Sequence, residues 1–144
     1  MPPTLGDAAL DFVGVRFRLQ GRDPANGLDC IGLILASLER LGIALDLPAD
    51  YRPRRRSLAI PEDALAKAGL IETGAPHRSG DILMLRTAPA QVHAAIVHQR
   101  ATIVHAHAGL GRVVCGPIPS HWRIIVAWRL APPSAPEEIR PWPR

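Results

Sequence analysis

The chain of 144 residues has little cysteine, almost no lysine and no long hydrophobic run. Two cysteines cannot form a disulfide framework, so the fold has to be stabilised by a hydrophobic core, which a chain of this length can bury. No apolar run approaches the roughly 18 residues needed to cross a bilayer, so we expect no membrane span. The first residues, MPPTLGDAAL, lack a basic segment followed by an apolar stretch, so we expect cytoplasmic synthesis without a secretory signal.

The positive charge comes almost entirely from arginine, since Lys67 is the single lysine and the formal net charge is +4. A positive balance suits an acidic partner such as nucleic acid, a membrane surface or a carboxylate-rich polymer. The densest cluster is formed by Arg52, Arg54, Arg55 and Arg56, and it shows neither helical spacing nor a stacking pattern. This composition favours a solvated loop, and we do not expect nucleic acid as a partner.

Helical patterns occupy the first half of the chain. Three helices are predicted, over residues 5–13, from about Cys30 to Gly42, and around 61–68. Thr4 and Asp7 are placed to form a capping box for the first, and Asp29 is a suitable N-cap for the second. The sequence between these two helices carries Asp-Pro and Asn-Gly pairs, which are typical of loops.

The second half contains short apolar segments, several of them β-branched and separated by turn residues. They cover residues 81–86, 92–98, 102–108, 112–116 and 122–130. Helices followed by strands favour an α+β domain, with N-terminal helices packed on a five- to six-stranded antiparallel sheet. We predict one domain over residues 1–130 and an extended, proline-rich C-terminal tail over 131–144.

Cys30 is the first candidate for chemistry, because it stands at the predicted N-terminus of a helix behind a glycine-containing loop. Unpaired amides and the positive end of the helix dipole favour a thiolate, so the pKa of the thiol is expected to fall. The same amides can hold an oxyanion formed when the thiolate attacks a carbonyl. Such a nucleophile also needs a base, most often histidine.

His93 and His105 lie on consecutive predicted strands, and the midpoint between them is residue 99. If the hairpin closes with a three-residue loop, residues whose numbers sum to 198 face each other, and the two histidines are directly opposite on one face. One imidazole can then act on Cys30 while the other fixes its tautomer. A two-residue loop shifts the pairing by one and separates the histidines onto opposite faces, so the arrangement depends on the register.

Other interpretations compete with this one. A lone cysteine in an apolar helix is more often a core residue, and Cys115 keeps that interpretation. His107 shares a face with His105 and is a rival for the third position. A zinc site built from His93, His105 and His107 is conceivable, but carboxylates are few and no CxxC motif exists, so we expect no metal.

The stretch FVGVRFRLQGRDPANGLDCIGLI (12–34), followed by GDILML (80–85), VHAAIV (92–97) and IVHAHAG (103–109), resembles the NlpC-type cell-wall cysteine peptidases. The phage-like peptidases of gene transfer agents and prophage tail clusters are still more similar. They share the pattern GRDP-x-x-G-x-DC-x-GL and an ending close to WRIIVAWRL. The resemblance covers most of the predicted domain, with the motifs in the same order.

The resemblance implies a papain-like α+β domain whose nucleophile is Cys30, whose base is His93 and whose third, orienting residue is His105. Asp29, beside the nucleophile, is implied to help bind the substrate amine. The implied substrate is the peptide stem of peptidoglycan, typically at the bond between γ-D-glutamyl and a diamino acid. No cofactor is required.

Two positions depart from the family pattern, and we place both with Asp29 in the substrate-binding part of the site. Phe17 stands in the region of a tyrosine whose hydroxyl assists the oxyanion, and Ile31 replaces a serine after the nucleophile. These departures favour an alternative, a tail-tip or assembly protein with a weak or inactive peptidase fold. A thiol amidase or acyltransferase is a further alternative.

Partners follow from the same resemblance. It implies structural proteins of a phage-tail-like particle beside the peptidoglycan itself. Such a particle supplies a route to the cell wall for a protein without a secretory signal.

Overall fold

The computed structural model describes residues 3–47 and 60–132. In chain order its elements are α1 (Leu5–Leu10), β1 (Arg22–Asp23), β2 (Gly27–Leu28), α2 (Cys30–Arg40), α3 (Glu62–Ala68), β3 (Leu70–Thr73), β4 (Ile82–Ala88), β5 (Gln91–Gln99), β6 (Thr102–His107), β7 (Arg112–Pro117) and β8 (Arg123–Leu130). None of the helices in this part of the chain combines the length and apolarity needed to cross a membrane. The arginine cluster at 52–56 and the tail from residue 133 lie outside the described residues.

Six strands form one antiparallel sheet in the order β3-β8-β4-β5-β6-β7. The predicted α+β class, with N-terminal helices beside a five- to six-stranded antiparallel sheet, is confirmed. The five predicted strands correspond to β4–β8 with ends that differ by one or two residues. β3 and the β1–β2 hairpin are not predicted from the sequence, because runs of four and two residues are too short to show alternation.

The predicted capping box of α1 is present, with Asp7 N–H donating to the Thr4 hydroxyl and Thr4 N–H donating to the Asp7 carboxylate. The helix ends at Leu10, earlier than expected, because the chain turns to reach the sheet. Gly14 has φ +97° and donates its N–H to the carbonyl of Val113 on β7. That contact fixes where the loop leading to α2 begins.

The backbone of the first turn of α2 is in direct contact with the backbone of the β1–β2 hairpin and the residue before it. A Cβ atom added to Gly32 would overlap the carbonyl oxygen of Gly21, and one added to Gly21 would overlap the carbonyl oxygen of Gly27. No side chain fits between these backbones, which explains Gly21 and Gly32 in the GRDP-x-x-G-x-DC-x-GL pattern. They hold the start of α2 at a fixed distance from the hairpin.

The central strands bury side chains on both faces of the sheet. Even-numbered positions such as Met84 and Ile96 join the core beneath the helices. Odd-numbered positions form a second buried cluster that contains Leu83, Leu85, Ala95, Val97, Ile103 and Ala127. Both sides of these strands are therefore inaccessible to water, which is why their sequences are continuously apolar and do not alternate.

A buried ion pair joins the start of β4 to β8. The carboxylate of Asp81, fully buried, accepts hydrogen bonds from Arg129 Nε at 2.8 Å and Nη2 at 2.9 Å. Burial by itself raises the pKa of Asp81, but the hydrogen bonds from Arg129 and from the Arg78 N–H outweigh it, so the pKa lies below the ordinary 3.8.

Candidate active site

One cavity of about 290 Å³ brings together side chains from both halves of the chain. Cys30 reaches it from the start of α2, His93 from β5, and His105 from β6. The rest of the lining is Phe17, Leu19, Asp29, Thr87, Gln91, Val92, Ala106, His107, Ala108, Gly109 and Trp122. The structure therefore places the three residues predicted for catalysis around a single opening.

Cys30 is the first residue of α2, as the sequence predicts, and it is only 2% exposed. Its thiol receives hydrogen bonds from the backbone N–H groups of Ala94 and Ile31. Because Ala94 follows His93 on β5, the sulfur lies beside the strand that carries the candidate base.

The expected fall in the pKa of Cys30 is wrong. Burial raises the pKa of the thiol to about 12, and the Asp29 carboxylate raises it further, against the two backbone hydrogen bonds that lower it. The helix N-terminus does favour the thiolate, but the loss of hydration around a sulfur this deeply buried is the larger effect.

The imidazoles of His93 and His105 are in direct contact. Nε2 of His93 lies 3.0 Å from Nδ1 of His105, and the ring planes meet at 76° with centroids 5.2 Å apart. The donor and acceptor roles in this contact depend on the tautomers of the two rings. In the tautomer in which Nε2–H of His93 donates to His105 Nδ1, Nδ1 of His93 is the nitrogen that can accept a proton.

The register behind this contact differs from the predicted one. Gln99 pairs with Thr102 across a two-residue loop, which by itself would put the two histidines on opposite faces. A one-residue bulge at His98 shifts the pairing to Val97↔Ile103 and Ile96↔Val104, whose numbers sum to 200 and not to the predicted 198.

The bulge has two consequences for the histidines. Beyond the bulge the numbers of paired residues again add up to an even value, so two odd-numbered residues such as His93 and His105 share a face, as predicted. The bulge also offsets them by two positions, because the continued register sets His93 opposite His107. The rings therefore meet along a diagonal and are not directly opposite, a distance that imidazole side chains can span.

Burial lowers the pKa of His93 to about 3, and the neighbouring charges that His105 and His107 would carry lower it further. Burial, followed by His107, lowers the pKa of His105 to about 4. These shifts favour the neutral form of both imidazoles and of the thiol. Burial therefore disfavours a thiolate–imidazolium pair in the site before substrate binds.

His107, the predicted rival for the third position, has a different environment. Its Nδ1 accepts the backbone N–H of Leu110 at 3.0 Å, and its ring centroid lies 5.6 Å from that of His105. The nitrogen in hydrogen-bond contact with His93 belongs to His105. Across residues 3–47 and 60–132, no group of three His, Cys, Asp or Glu side chains is placed to hold a metal ion.

Asp29 is buried and its carboxylate is occupied by the protein itself. It accepts hydrogen bonds from the N–H of Gly32 at 2.8 Å, the N–H of Gln20 at 2.9 Å and Nη1 of Arg22 at 2.8 Å. These bonds confirm its predicted N-cap role and tie α2 to the loop before it. Its role in binding a substrate amine stays a prediction.

Phe17 and Ile31 are placed differently from each other. Phe17 is partly buried and lines the cavity, where its ring offers no hydrogen-bond donor. The side chain of Ile31 is 1% exposed and packs in the core, so it does not line the cavity. The predicted place of Ile31 in the substrate-binding part is therefore limited to its backbone N–H, which is directed at Cys30.

Trp122 lines the cavity but is not among the residues predicted for the site. Its ring is in edge contact with His93, at 5.6 Å and 74°, and with His105, at 5.5 Å and 85°. Tryptophan is rare in this chain, which has three, but Trp122 stands at the start of an apolar strand segment and was indistinguishable there from a core residue. The contacts that distinguish it from a core residue bring residues 93, 105 and 122 together in space.

Comparison with protein families identifies the domain. The NlpC/P60 family model matches residues 14–123, a range that includes every lining residue from Phe17 to Trp122. The chain therefore belongs to the NlpC/P60 family. A comparison with curated protein sequences gave no match.

Solved structures show the same fold. NlpC1 from Trichomonas vaginalis superposes with a TM-score of 0.65 at 20% identity, over 88% of this chain and 42% of that protein. The NlpC/P60 domain of the peptidoglycan hydrolase SagA gives 0.58 at 20% identity, over 86% and 94%. The peptidoglycan hydrolase RipB from Mycobacterium tuberculosis gives 0.58 at 16%, over 88% and 62%. The predicted papain-like NlpC-type fold is confirmed, and the chain spans less than half the length of the Trichomonas protein.

Proposed function

We propose that this protein is a cysteine peptidase that hydrolyses peptidoglycan stem peptides, at the bond between γ-D-glutamyl and a diamino acid. Cys30 is the nucleophile, His93 the base and His105 the residue that orients it. The observation that carries the proposal is the 3.0 Å contact between His93 Nε2 and His105 Nδ1 in the cavity that also holds Cys30. Membership of the NlpC/P60 family and the resemblance of the fold to two named peptidoglycan hydrolases support it.

The reaction starts from a neutral pair. With the pKa of the thiol near 12 and that of His93 near 3, separating charge before substrate arrives is unfavourable. The thiol proton therefore passes to Nδ1 of His93 as the sulfur attacks the γ-glutamyl carbonyl carbon. The hydrogen bond to His105 holds the ring in place while it gains the proton.

Attack places a negative charge on the carbonyl oxygen. In the first turn of α2 the N–H of Gly32 already donates to Asp29 and that of Ile31 to the thiol, so the N–H of Cys30 is the suitable donor to this oxygen. Phe17 supplies no hydroxyl, and the loss of one such donor costs on the order of 100-fold in rate. We expect a slow hydrolase.

The second half of the reaction returns the enzyme to its starting state. Protonated His93 donates its proton to the leaving amine as the C–N bond breaks and a thioester forms on Cys30. Water, deprotonated by His93, then attacks the thioester. The products are a carboxylate, an amine and the regenerated thiol.

We further propose that the protein acts on the wall as part of a phage-tail-like particle, with tail proteins as partners. The GRDP-x-x-G-x-DC-x-GL pattern and the ending WRIIVAWRL support this assignment, since both resemble the phage-like branch. Purification of particles from producing cells tests it: the protein should co-sediment with tail proteins, and its presence only in the free fraction contradicts it.

The enzymatic proposal is tested with defined muropeptides analysed by mass spectrometry. Wild type should release new stem-peptide termini, and Cys30→Ala should release none. Cys115→Ala is the matched control, because that exposed cysteine lies away from the cavity lining, and it should match wild type. Intact substrate at high enzyme concentration, with a folded protein, contradicts the proposal.

One observation favours a second candidate, a structural component with an inactive peptidase fold. The Cys30 side chain is almost inaccessible and its thiol is neutral, which slows any attack on substrate. Intact muropeptides together with a Cys30 thiol that resists alkylation support this candidate. Altered acyl groups without stem cleavage indicate a thiol acyltransferase.

A further inference from the structure

The indole of Trp122 lies beside the hydrogen bond between the two imidazoles. Its ring is nearly perpendicular to both, at 74° to His93 and 85° to His105, with centroid separations of 5.6 and 5.5 Å. Because it contacts both partners at nearly the same distance, it lies next to the Nε2···Nδ1 contact and not over one ring alone. Edge-to-face contacts of this kind are attractive.

The position of Trp122 is fixed by the sheet. Its backbone N–H donates to the carbonyl of Pro119 at 3.0 Å, and the next residue, Arg123, pairs with Arg86 on β4. Its side chain packs against the second buried cluster, the one that contains Leu85 and Val97. An indole held in this way can restrain its neighbours, since it has little freedom to follow them.

The imidazole pair needs such a restraint. His93 and His105 meet along a diagonal, so the two strands do not place them directly opposite each other. Rotation of the His93 ring would break the contact with His105 and exchange the positions of its two nitrogens. Water that reached the hydrogen bond would compete for Nε2 and Nδ1.

We propose that Trp122 is a positioning residue, whose indole holds His93 and His105 in hydrogen-bond contact and excludes water from the bond between them. Trp122 thereby keeps Nδ1 of His93 as the basic nitrogen. The consequence for catalysis rests on the proposed peptidase function, whereas the effect on the imidazole pair does not.

The test is nuclear magnetic resonance of ring-labelled histidine in the full chain. In wild type, His93 should show one tautomer, protonated at Nε2, with slow solvent exchange of that hydrogen. In Trp122→Leu both tautomers should appear, the Nε2 hydrogen should exchange at least about tenfold faster, and the titration midpoint of His93 should rise by about one pH unit or more toward 6.5.

Two further variants control the test. Trp128→Phe removes a buried tryptophan of β8 that packs in the other core, so it alters packing without touching the imidazoles and should leave all three readouts unchanged. Trp122→Phe keeps an aromatic edge and should give intermediate values. It also keeps the test decisive if Trp122→Leu does not fold.

The proposal is overturned if a folded Trp122→Leu retains a single His93 tautomer, an unchanged midpoint and slow exchange. Wild-type values for Trp122→Phe have the same meaning if the leucine variant does not fold. Muropeptide cleavage gives a separate readout, in which kcat of Trp122→Leu should fall roughly tenfold with KM nearly unchanged. If wild type cleaves nothing, the peptidase proposal fails while the imidazole spectra still decide the role of Trp122.

Discussion

The two sides of the cavity are built in different ways. One side, which we call the loop side, is a continuous stretch from Phe17 to Gly32, held by backbone contacts between glycines and by the hydrogen bonds of Asp29. The other side, the histidine side, combines β5, β6 and Trp122, which are distant in sequence and touch through rings. The nucleophile belongs to the first side and the base to the second.

The two sides therefore differ in how tightly they fix the positions of their residues. On the loop side, a Cβ added at Gly21 or Gly32 would overlap a carbonyl oxygen, so the backbone next to Cys30 cannot shift to accept a side chain. On the histidine side, aromatic contacts and one hydrogen bond set the geometry, and they can change gradually. Substitutions should therefore act mainly on folding at the first side and mainly on chemistry at the second.

Gly32→Ala should have the largest effect on stability. The new Cβ would overlap the backbone of Gly21, which cannot move without displacing the hairpin, so we expect a loss of about 3 kcal/mol in the free energy of unfolding. Urea denaturation measures it. Gly116→Ala is the control, since nothing lies within 4 Å of a Cβ there, and it should cost under about 1 kcal/mol. If Gly32→Ala and Gly116→Ala lost the same free energy of unfolding, the loop side would not be the tightly fixed side that we describe.

His105→Ala should have the larger effect of two substitutions on the histidine side. Without the contact at Nε2, His93 loses its fixed tautomer, and kcat for muropeptide cleavage should fall about 100-fold while the urea midpoint changes little. His107→Ala should cost about threefold or less, because its Nδ1 is engaged by Leu110. The opposite ranking would make His107 the third residue.

As the pH is lowered, protonation of the histidine side should reduce the free energy of unfolding before protonation of Asp81 does. The unfolded chain binds a proton at His93 below about pH 6.5, whereas the folded chain resists it down to about 3, so stability falls as the pH drops through this window. We expect a loss of about 1 kcal/mol between pH 6 and pH 5 from this group alone.

His93→Phe should reduce that slope by about 1 kcal/mol in urea titrations at the two pH values, and the slope that remains comes from His105, whose folded pKa of about 4 also lies below the window. Asp81 acts in a lower window. Its folded pKa lies below 3.8, so the stability it contributes is present above 3.8 and is lost as the pH falls through the folded value. An unchanged slope in His93→Phe would show that His93 is not the group responsible.

The smallest expected effect is a difference in alkylation rate between the two cysteines of the same molecule. At pH 7, iodoacetamide should modify the exposed Cys115 at least about tenfold faster than the buried Cys30, whose thiol is neutral. The rate at Cys30 should rise steadily toward alkaline pH, as followed by peptide mass spectrometry. A plateau between pH 4 and pH 8 would instead indicate a thiolate paired with an imidazolium.

The loop side was largely predictable from sequence. Asp29 as N-cap, Cys30 as the first helical residue and the glycines of the motif are local signals, because each contact joins residues that are close in the chain. The raised pKa of Cys30 was not predictable, since it depends on how deeply the sheet buries the sulfur. Ile31 was misplaced for the same reason, as core packing decides which way its side chain points.

The histidine side was predictable only in part. Spacing indicated that His93 and His105 share a face, but it did not reveal the bulge at His98 or the offset that follows from it. Trp122 left no local signal, because its ring contacts join β5, β6 and the turn before β8. Long-range register and aromatic packing are properties of the assembled sheet.

The bulge at His98 also makes the β5–β6 turn sensitive to changes in length. Removing the bulged residue while keeping the two-residue loop would turn every side chain of β6 to the opposite face of the sheet. Ile103 and Val104 would exchange faces, and His105 would move away from the face that carries His93. A deletion that removes the bulged residue and keeps the two-residue loop should therefore separate the two imidazoles, even though both histidines remain in the chain.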